Sequence, residues 1–400
     1  MNYDDIFLAS TQELRDKSLY RNFTTLNKKS NSFPIFKDDS DKGICIWCTN
    51  DYLGLSCDEN VIQSAIESVR NNGIGSGGTR NISGTNSSIV NLEKKVAKFH
   101  NKEMAIVFTS GYIANFAAIS VIAKLIPDIT FISDEKNHAS IIEGIKHNKV
   151  NKLVFRHNDT NHLHECLRSL DKKSPKMIII EGVYSMDGTT PDLPKIVELA
   201  KEYNALTYID EVHAVGIYGS NGSGIARHFN LDHEIDIIQG TFSKAIGTIG
   251  GYVAGNNAII DAIRSHANGF IFTTSLPACI CDATSTSIDF IESESGKKSR
   301  DHLLNIASYI KDRFRENGID FIDNNMNTHI IPVMMYNEGR AIEISDNVMK
   351  KYGIYIQNIR YPTVPIGSAR LRITPSAKHT FEMADKMIEA VIAENLLLEK

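Results

Sequence analysis

Four hundred residues, 42% of them apolar and 23% charged, are enough for a large buried core and match the composition of a globular enzyme. A net charge of −5, from 43 basic and 48 acidic side chains, leaves no electrostatic footprint for nucleic acid. No apolar run approaches the roughly 20 residues that a membrane-spanning helix needs. The acidic opening Met1-Asn2-Tyr3-Asp4-Asp5 is unlike a basic targeting segment, so a cytoplasmic protein with no membrane partner is expected, or a form from which a presequence is already missing.

In chain order, residues 1–45 are polar and read as an N-terminal arm whose structure the pattern leaves open. Cys45 and Cys48 have C-x-x-C spacing in a strand-like stretch. Strand residues three apart face opposite sides, which is poor geometry for a metal. These two, with Cys279 and Cys281, are expected to be buried small apolar side chains, and no metal site is expected. Residues 46–294 alternate short apolar runs with amphipathic stretches, the pattern of a sheet layered between helices. The predicted strands are Met104–Thr109, Ile129–Ser133, Leu153–Arg156, Met177–Glu181, Leu206–Asp210, Ile235–Gln239 and Gly251–Ala254. Helical patterns cover Asn137–His147, Thr160–Leu170 and Pro194–Tyr203, with Asp159 and Asp192 as caps for the last two. Residues 295–400 read as a smaller α+β C-terminal domain. It comprises a long helical stretch, strands Ile330–Met335, Ile354–Gln357 and Arg370–Ile373, and a closing helix. The fold class is thus α/β, with a large domain built on a mostly parallel seven-stranded sheet.

In such sheets functional residues gather beyond the carboxyl ends of the strands, where Ser133, Glu181, Asp210 and Thr241 fall. Lys244 lies between a strand and the glycine-rich Gly247–Gly251, framed by small and hydroxylated residues. That setting suits a lysine that holds a cofactor aldehyde as a Schiff base and later moves protons. A plain surface lysine is the alternative. Asp210, leaving the buried run Ala205–Ile209, suits a partner for a protonated pyridine nitrogen, or a helix cap. His213 suits a contact to the ring's 3′ oxygen, or a core histidine. Together they suggest pyridoxal phosphate (PLP). Ser110, Gly111 and Tyr112 follow a strand and open a helix, a phosphate cradle or a simple turn. Thr241, Thr273 and Thr274 offer further hydroxyls. His138 starts a helix past a strand end and could stack on a flat ring or cap the helix. Arg372, on an apolar strand, needs an anionic partner, either a substrate carboxylate or a structural salt bridge.

Several segments together carry a family resemblance: Asn50-Asp51-Tyr52-Leu53-Gly54, Gly75 to Thr85, Asp134 to Gly144, Val183 to Gly188, Asp210 to Gly216 and Tyr361-Pro362-Thr363-Val364-Pro365. From about Tyr20 to the C-terminus the chain resembles the α-oxoamine synthases, fold-type I PLP-dependent transferases, and most narrowly their 5-aminolevulinate-forming branch. The resemblance implies a condensation of glycine with succinyl-coenzyme A that releases carbon dioxide and coenzyme A. The product would feed haem and other tetrapyrrole synthesis or supply a five-carbon unit. It also implies a homodimer with active sites at the interface. Lys244 matches the Schiff-base lysine, Asp210 the pyridinium partner, His213 the 3′-oxygen contact and His138 the stacking ring. Asn50, Ser185 and Arg372 match glycine-carboxylate contacts, with Ser185 beside the cofactor as well. Arg21, Ser133, Lys152 and Thr363 match positions that bind the acyl-coenzyme A, Arg21 and Thr363 holding the succinyl carboxylate. Thr79 and Asn81 match the acyl pocket, and Thr273 and Thr274 residues lent across the dimer to the cofactor phosphate. The chain departs from the family at Ile366, usually arginine, and at Arg360, commonly asparagine. A charge has moved from one side of that loop to the other. The nearest alternative is a related synthase that takes another acyl-coenzyme A.

Overall fold

The computed structural model describes residues 2–17, 19–323 and 326–397. Residues 1 and 18 of the expected arm, and 324–325 and 398–400 of the expected C-terminal domain, lie outside the described residues. Seven strands form the main sheet: β1 (Met104–Phe108), β2 (Thr130–Asp134), β3 (Asn151–Phe155), β4 (Lys176–Glu181), β5 (Leu206–Asp210), β6 (Ile237–Thr241) and β7 (Gly251–Gly255). Their spatial order is β1-β7-β6-β5-β4-β2-β3. β2 to β6 run parallel, and β7 is antiparallel to both neighbours.

Period-two alternation explains why helices cover both faces. In β4, Met177 and Ile179 pack into one apolar cluster while Ile178 and Ile180 pack into another. The first cluster is closed by helices Gly111–Leu125, Ala139–His147 and Asn257–His266. The second is closed by Ser87–Phe99, Thr160–Arg168 and Leu193–Tyr203. Asp159 and Asp192 cap the latter two helices, accepting from the amides of His162 and Lys195.

A third apolar cluster, around Trp47, Phe314, Val333, Leu371 and Ile388, lies under a small antiparallel sheet. That sheet orders Ile331–Tyr336, Ala369–Ile373 and Gln357–Ile359, and helices Glu294–Glu316, Glu338–Tyr352 and Phe381–Leu397 supply the rest of the cluster. The expected single strand Ile354–Gln357 is in fact two. Ile354–Tyr355 pairs in parallel with Gly43–Ile46, and Gln357–Ile359 joins the other sheet. The break falls at Ile356, whose carbonyl accepts from Ser345 Oγ at 2.7 Å and so is diverted from a ladder.

The arm contains a helix, Tyr3–Asp16, none of whose residues is buried. Cys279 and Cys281 are buried as expected, but Cys45, on the strand Gly43–Ile46, and Cys48, just beyond it, are only half-buried. Among the described residues no helix is long and apolar enough to cross a membrane.

Candidate active site

The run Leu206–Ile209, buried from Thr207 onward, delivers Asp210 to the carboxyl end of β5, in register with Glu181 on β4 and Gln239 on β6. The Asp210 side chain is held from two directions. Asn115 Nδ2 donates to Oδ2 at 2.7 Å, and the Val212 amide donates to Oδ1 at 2.9 Å. Burial pushes this carboxyl up; the Asn115 and Val212 hydrogen bonds, then the charges of His138 and Lys244, pull the other way. Glu181, also buried, is driven well above the usual carboxylate range by burial and then by Asp210, and its Oε1 has no partner.

Lys244 sits in the turn after β6. The Gly247 amide donates to the Lys244 carbonyl at 2.9 Å, and Gly247 takes φ +79°, where a Cβ would lie 2.4 Å from the Ser56 nitrogen. Only glycine closes this turn against the backbone behind it. The Lys244 amine is lowered to about 8, first by burial and then by the charge of Arg372, against the opposing pull of Asp210 and Glu181.

Arg372 lies on Ala369–Ile373 and is 6% exposed. Its Nε donates to the Ser185 carbonyl at 2.7 Å; Nη1 reaches Asn50 Oδ1 and Nη2 reaches the Tyr52 hydroxyl, both at 3.3 Å. Arg370, on the same face of that strand, is instead ion-paired with Asp187. Among the described residues no carboxylate pairs with Arg372, so the structural salt bridge weighed for it is not found there. Its partners are three neutral oxygens. His213 is 6% exposed, and its Nδ1 lies 2.7 Å from the same Tyr52 hydroxyl. Burial, then the charges of Lys244 and Arg372, drive His213 well below the usual histidine range, so it is neutral.

Across the sheet end, Ser110 caps helix Gly111–Leu125 by accepting from the Ile113 amide at 3.2 Å. A Cβ on Gly111 would stand 3.2 Å from Thr241 Cβ, so the helix start and the Thr241 hydroxyl are neighbours. Tyr112 meets His138 edge-on at 6.3 Å. His138 caps the next helix, its Nδ1 accepting from the Ser140 amide at 3.3 Å. Both readings weighed for this histidine, cap and open ring face, are compatible with that placement.

The remaining candidates lie elsewhere. Arg21 and Thr363 do meet, Nη2 donating to Oγ1 at 2.7 Å, and Arg360 donates to the Tyr20 carbonyl at 3.0 Å. The arm is thus tied to the Tyr361–Pro365 loop, whose Ile366 is 77% exposed. Thr79 Oγ1 donates to Asn81 Oδ1 at 2.8 Å, and Thr79 bridges Thr274. Thr273 is half-buried and Thr274 exposed. Ser133 is buried, and its hydroxyl is engaged with Asn137 at 2.9 Å. Lys152 is near the start of edge strand β3, three strands from β5 in the sheet order, roughly 14 Å at ordinary strand spacing. The structure therefore sets Lys152 apart from the Lys244 cluster, whereas Ser133 is joined to Asn137, the neighbour of His138.

Sequence reasoning missed Asn115 and gave Tyr52 no role. Asn115 had a signal: it is a polar residue among Ala114, Ala117 and Ala118 on the buried side of an apolar helix.

The donor set fits a phosphorylated pyridine aldehyde. Helix-start amides and hydroxyls suit a phosphate, and the Lys244 amine suits the aldehyde. A pyridinium against Asp210 would supply the counter-charge that burial withholds. His138 and His213 come from two different loops to suit the ring's face and its oxygen.

The family model for aminotransferase class I and II matches residues 42–391. The 5-aminolevulinate synthase of Rickettsia prowazekii is 46% identical over 98% of this chain and 93% of its own. That of Bradyrhizobium diazoefficiens is 43% identical over 98% and 96%. Among solved structures, a serine palmitoyltransferase from S. paucimobilis with bound PLP–myriocin aldimine superposes with a TM-score of 0.90. It is 29% identical, covering 99% of this chain and 98% of that one.

Proposed function

Because the chain belongs to the aminotransferase class I and II family and, within it, to the 5-aminolevulinate synthases, we propose that its site condenses glycine with succinyl-coenzyme A to 5-aminolevulinate, with PLP as cofactor. Carbon dioxide and coenzyme A are released. The carrying observation is the pair of cationic groups at its centre: an amine depressed to about 8 and a buried guanidinium with only neutral partners.

When bound, PLP supplies an aldehyde carbon and an electron-poor ring that spreads the negative charge left at glycine's α-carbon. The chain's residues do the rest. Arg372 grips the glycine carboxylate through Nη1 and Nη2, whose contacts at 3.3 Å are long enough to exchange, while Nε stays fixed on Ser185. Asn50 lends its amide N–H to the same carboxylate. An amine lowered to about 8 leaves about a tenth of Lys244 unprotonated at neutral pH, enough to take the α-proton. The α-carbon then bonds to the succinyl carbonyl carbon, the thiolate of coenzyme A leaves, and the former glycine carboxylate departs as carbon dioxide. Lys244, now an ammonium, returns a proton to the carbon that lost it. Asp210 holds the ring nitrogen's proton, and His213, kept neutral and fixed by Tyr52, contacts the ring oxygen. His138 packs on the ring's face, and Ser110, Gly111, Tyr112 and Thr241 receive the phosphate.

Arg21 and Thr363 hold the succinyl carboxylate, and Arg360 steadies the arm that carries Arg21. Thr79 and Asn81 line the acyl chain's path. Ser133 and Lys152 contact coenzyme A, Lys152, on the far edge strand, an outer part of it. We also propose a cytoplasmic homodimer, with Thr273 and Thr274 serving the partner's phosphate site.

Purified enzyme offered glycine with succinyl-, acetyl- or octanoyl-coenzyme A tests the assignment. 5-Aminolevulinate from succinyl-coenzyme A at a clearly higher kcat/KM is expected, and equal rates on all three donors would overturn it.

A further inference from the structure

One buried amide joins two of the groups assigned above. Asn115, 1% exposed, spends both Nδ2 hydrogens: one on Asp210 Oδ2 at 2.7 Å, the other on Ser140 Oγ at 2.9 Å. Its Oδ1 accepts from the Tyr208 hydroxyl at 2.6 Å. The amide cannot be turned over, because Oδ1 would then face the Asp210 oxygen. Ser140, fully buried, continues the chain, its Oγ lying 2.8 Å from His138 Nδ1. The Ser140 backbone N–H points at that same Nδ1 from 3.3 Å and can only donate. A proton on Nδ1 would set two donors against each other, so Nδ1 is the acceptor and the hydroxyl proton of Ser140 points to it. The direction of donation is then fixed along the whole path.

We propose that Asn115 is a positioning residue that aims the Asp210 carboxylate at the cofactor ring nitrogen and, through Ser140, locks His138 in its Nε2–H tautomer. The proposal rests on the roles given above to Asp210 and His138. Its consequence is that the group under the ring nitrogen and the ring stacked on its face are set by a single side chain. Neither can rotate without breaking a bond that the other depends on. Asn115 touches no substrate and takes no proton.

The test is nitrogen-15 NMR of histidine-labelled full-length chain before and after PLP is added, with the His138 signals assigned from a His138→Asn variant. PLP affinity is measured alongside. In the parent protein His138 is expected as one tautomer, protonated at Nε2, in the cofactor-free state already. Asn115→Leu fills the space without donating. It is expected to populate both tautomers and weaken PLP binding about tenfold or more, the loss of a charged-acceptor hydrogen bond. Ser140→Ala is expected to loosen the tautomer, since only the longer 3.3 Å amide contact to Nδ1 then remains, while keeping PLP affinity within about twofold because the Asn115–Asp210 bond survives. That variant keeps the proposal testable should Asn115→Leu fail to fold.

A parent spectrum with the proton on Nδ1 would overturn the proposal. So would a single unchanged tautomer in both variants, or PLP affinity undisturbed in Asn115→Leu. Because the spectra are read without substrate, failure of the acyl-donor assay would strike the functional reading and leave this one standing.

Discussion

Burial of an amine has a thermodynamic consequence at Lys244 that can be measured without substrate. Its folded value of about 8 lies below the ordinary 10.5, so between those two values the folded state binds fewer protons than the unfolded chain. The cost of burying the ammonium is therefore fully present below pH 8 and fades as pH rises toward 10.5. In cofactor-free protein, Lys244→Met should be more stable than the parent at pH 7 by about 1 kcal/mol, a discounted figure because the side chain is only half-buried. Urea unfolding at pH 7, 8.5 and 10 should show that gap closing, while the variant turns over no substrate at any pH. A gap that widens with pH would contradict the assignment of the depressed amine. Arg21 makes a second residue-scale case. Its guanidinium reaches from the arm to Thr363 at 2.7 Å. Arg21→Ala should lower kcat/KM for succinyl-coenzyme A about tenfold or more and leave acetyl-coenzyme A nearly unchanged. Equal losses on both donors would assign Arg21 to the fold. Lys244, Asp210, His213 and Arg372 were legible as residue types in telling surroundings. Asn115 and the Tyr52 link to His213 were not, because their meaning lies in which atoms they touch across 95 and 161 residues of chain.

At the scale of elements, the loop after β4 is the seam between the main sheet and the small one. Arg372 and Arg370, two apart on one strand, both grip it: the first at the Ser185 carbonyl, the second at Asp187 and the Met186 carbonyl. Burial pushes the Asp187 carboxyl up, but Lys136 and Arg370 outweigh it and hold the group below its ordinary 3.8. Stability from this carboxylate is therefore present above pH 3.8 and lost as pH falls through the lower folded value. Asp187→Asn leaves Arg370 buried without its counter-charge, a loss of about 3–5 kcal/mol. Chemical unfolding should find that deficit constant from pH 5 to 8 and shrinking below about pH 4; a deficit unchanged in acid would mean the charge is not what holds the seam. The seven strands and the two aspartate caps could be read locally, since alternation and capping are written in consecutive residues. The division of Ile354–Ile359 between two sheets could not. Its apolar residues look like one strand, and only the Ser345 contact to Ile356 shows where the ladder ends.

For the whole molecule, the segments around Thr79 and Thr274 raise the question of what covers them. They are pinned together by the Thr79–Thr274 bridge, by the Ser275 amide on the Gly78 carbonyl at 3.0 Å and by the Ser275 hydroxyl on the Gly84 carbonyl at 2.7 Å. Yet the apolar side chains they carry face outward: Ile74 is 76% exposed, Ile82 80% and Phe272 76%. Tightly hydrogen-bonded backbone that displays large apolar groups is the signature of a surface made to be covered, and the second copy proposed above would cover it. Phe272 directly precedes Thr273 and Thr274, so a partner that covers the ring also receives the two hydroxyls. Phe272→Asp should therefore do two things at once. Sedimentation equilibrium should find it largely monomeric where the parent is expected as a dimer, and PLP should dissociate from it at least about tenfold more readily, since a charge forced into an apolar interface costs several kcal/mol. Thr274→Ala offers the control, because a threonine near the interface edge can lose its hydroxyl without separating the subunits. It should weaken PLP and leave the dimer intact. A Phe272→Asp protein that stays dimeric, or one that becomes monomeric with PLP affinity unchanged, would place the phosphate hydroxyls within a single chain.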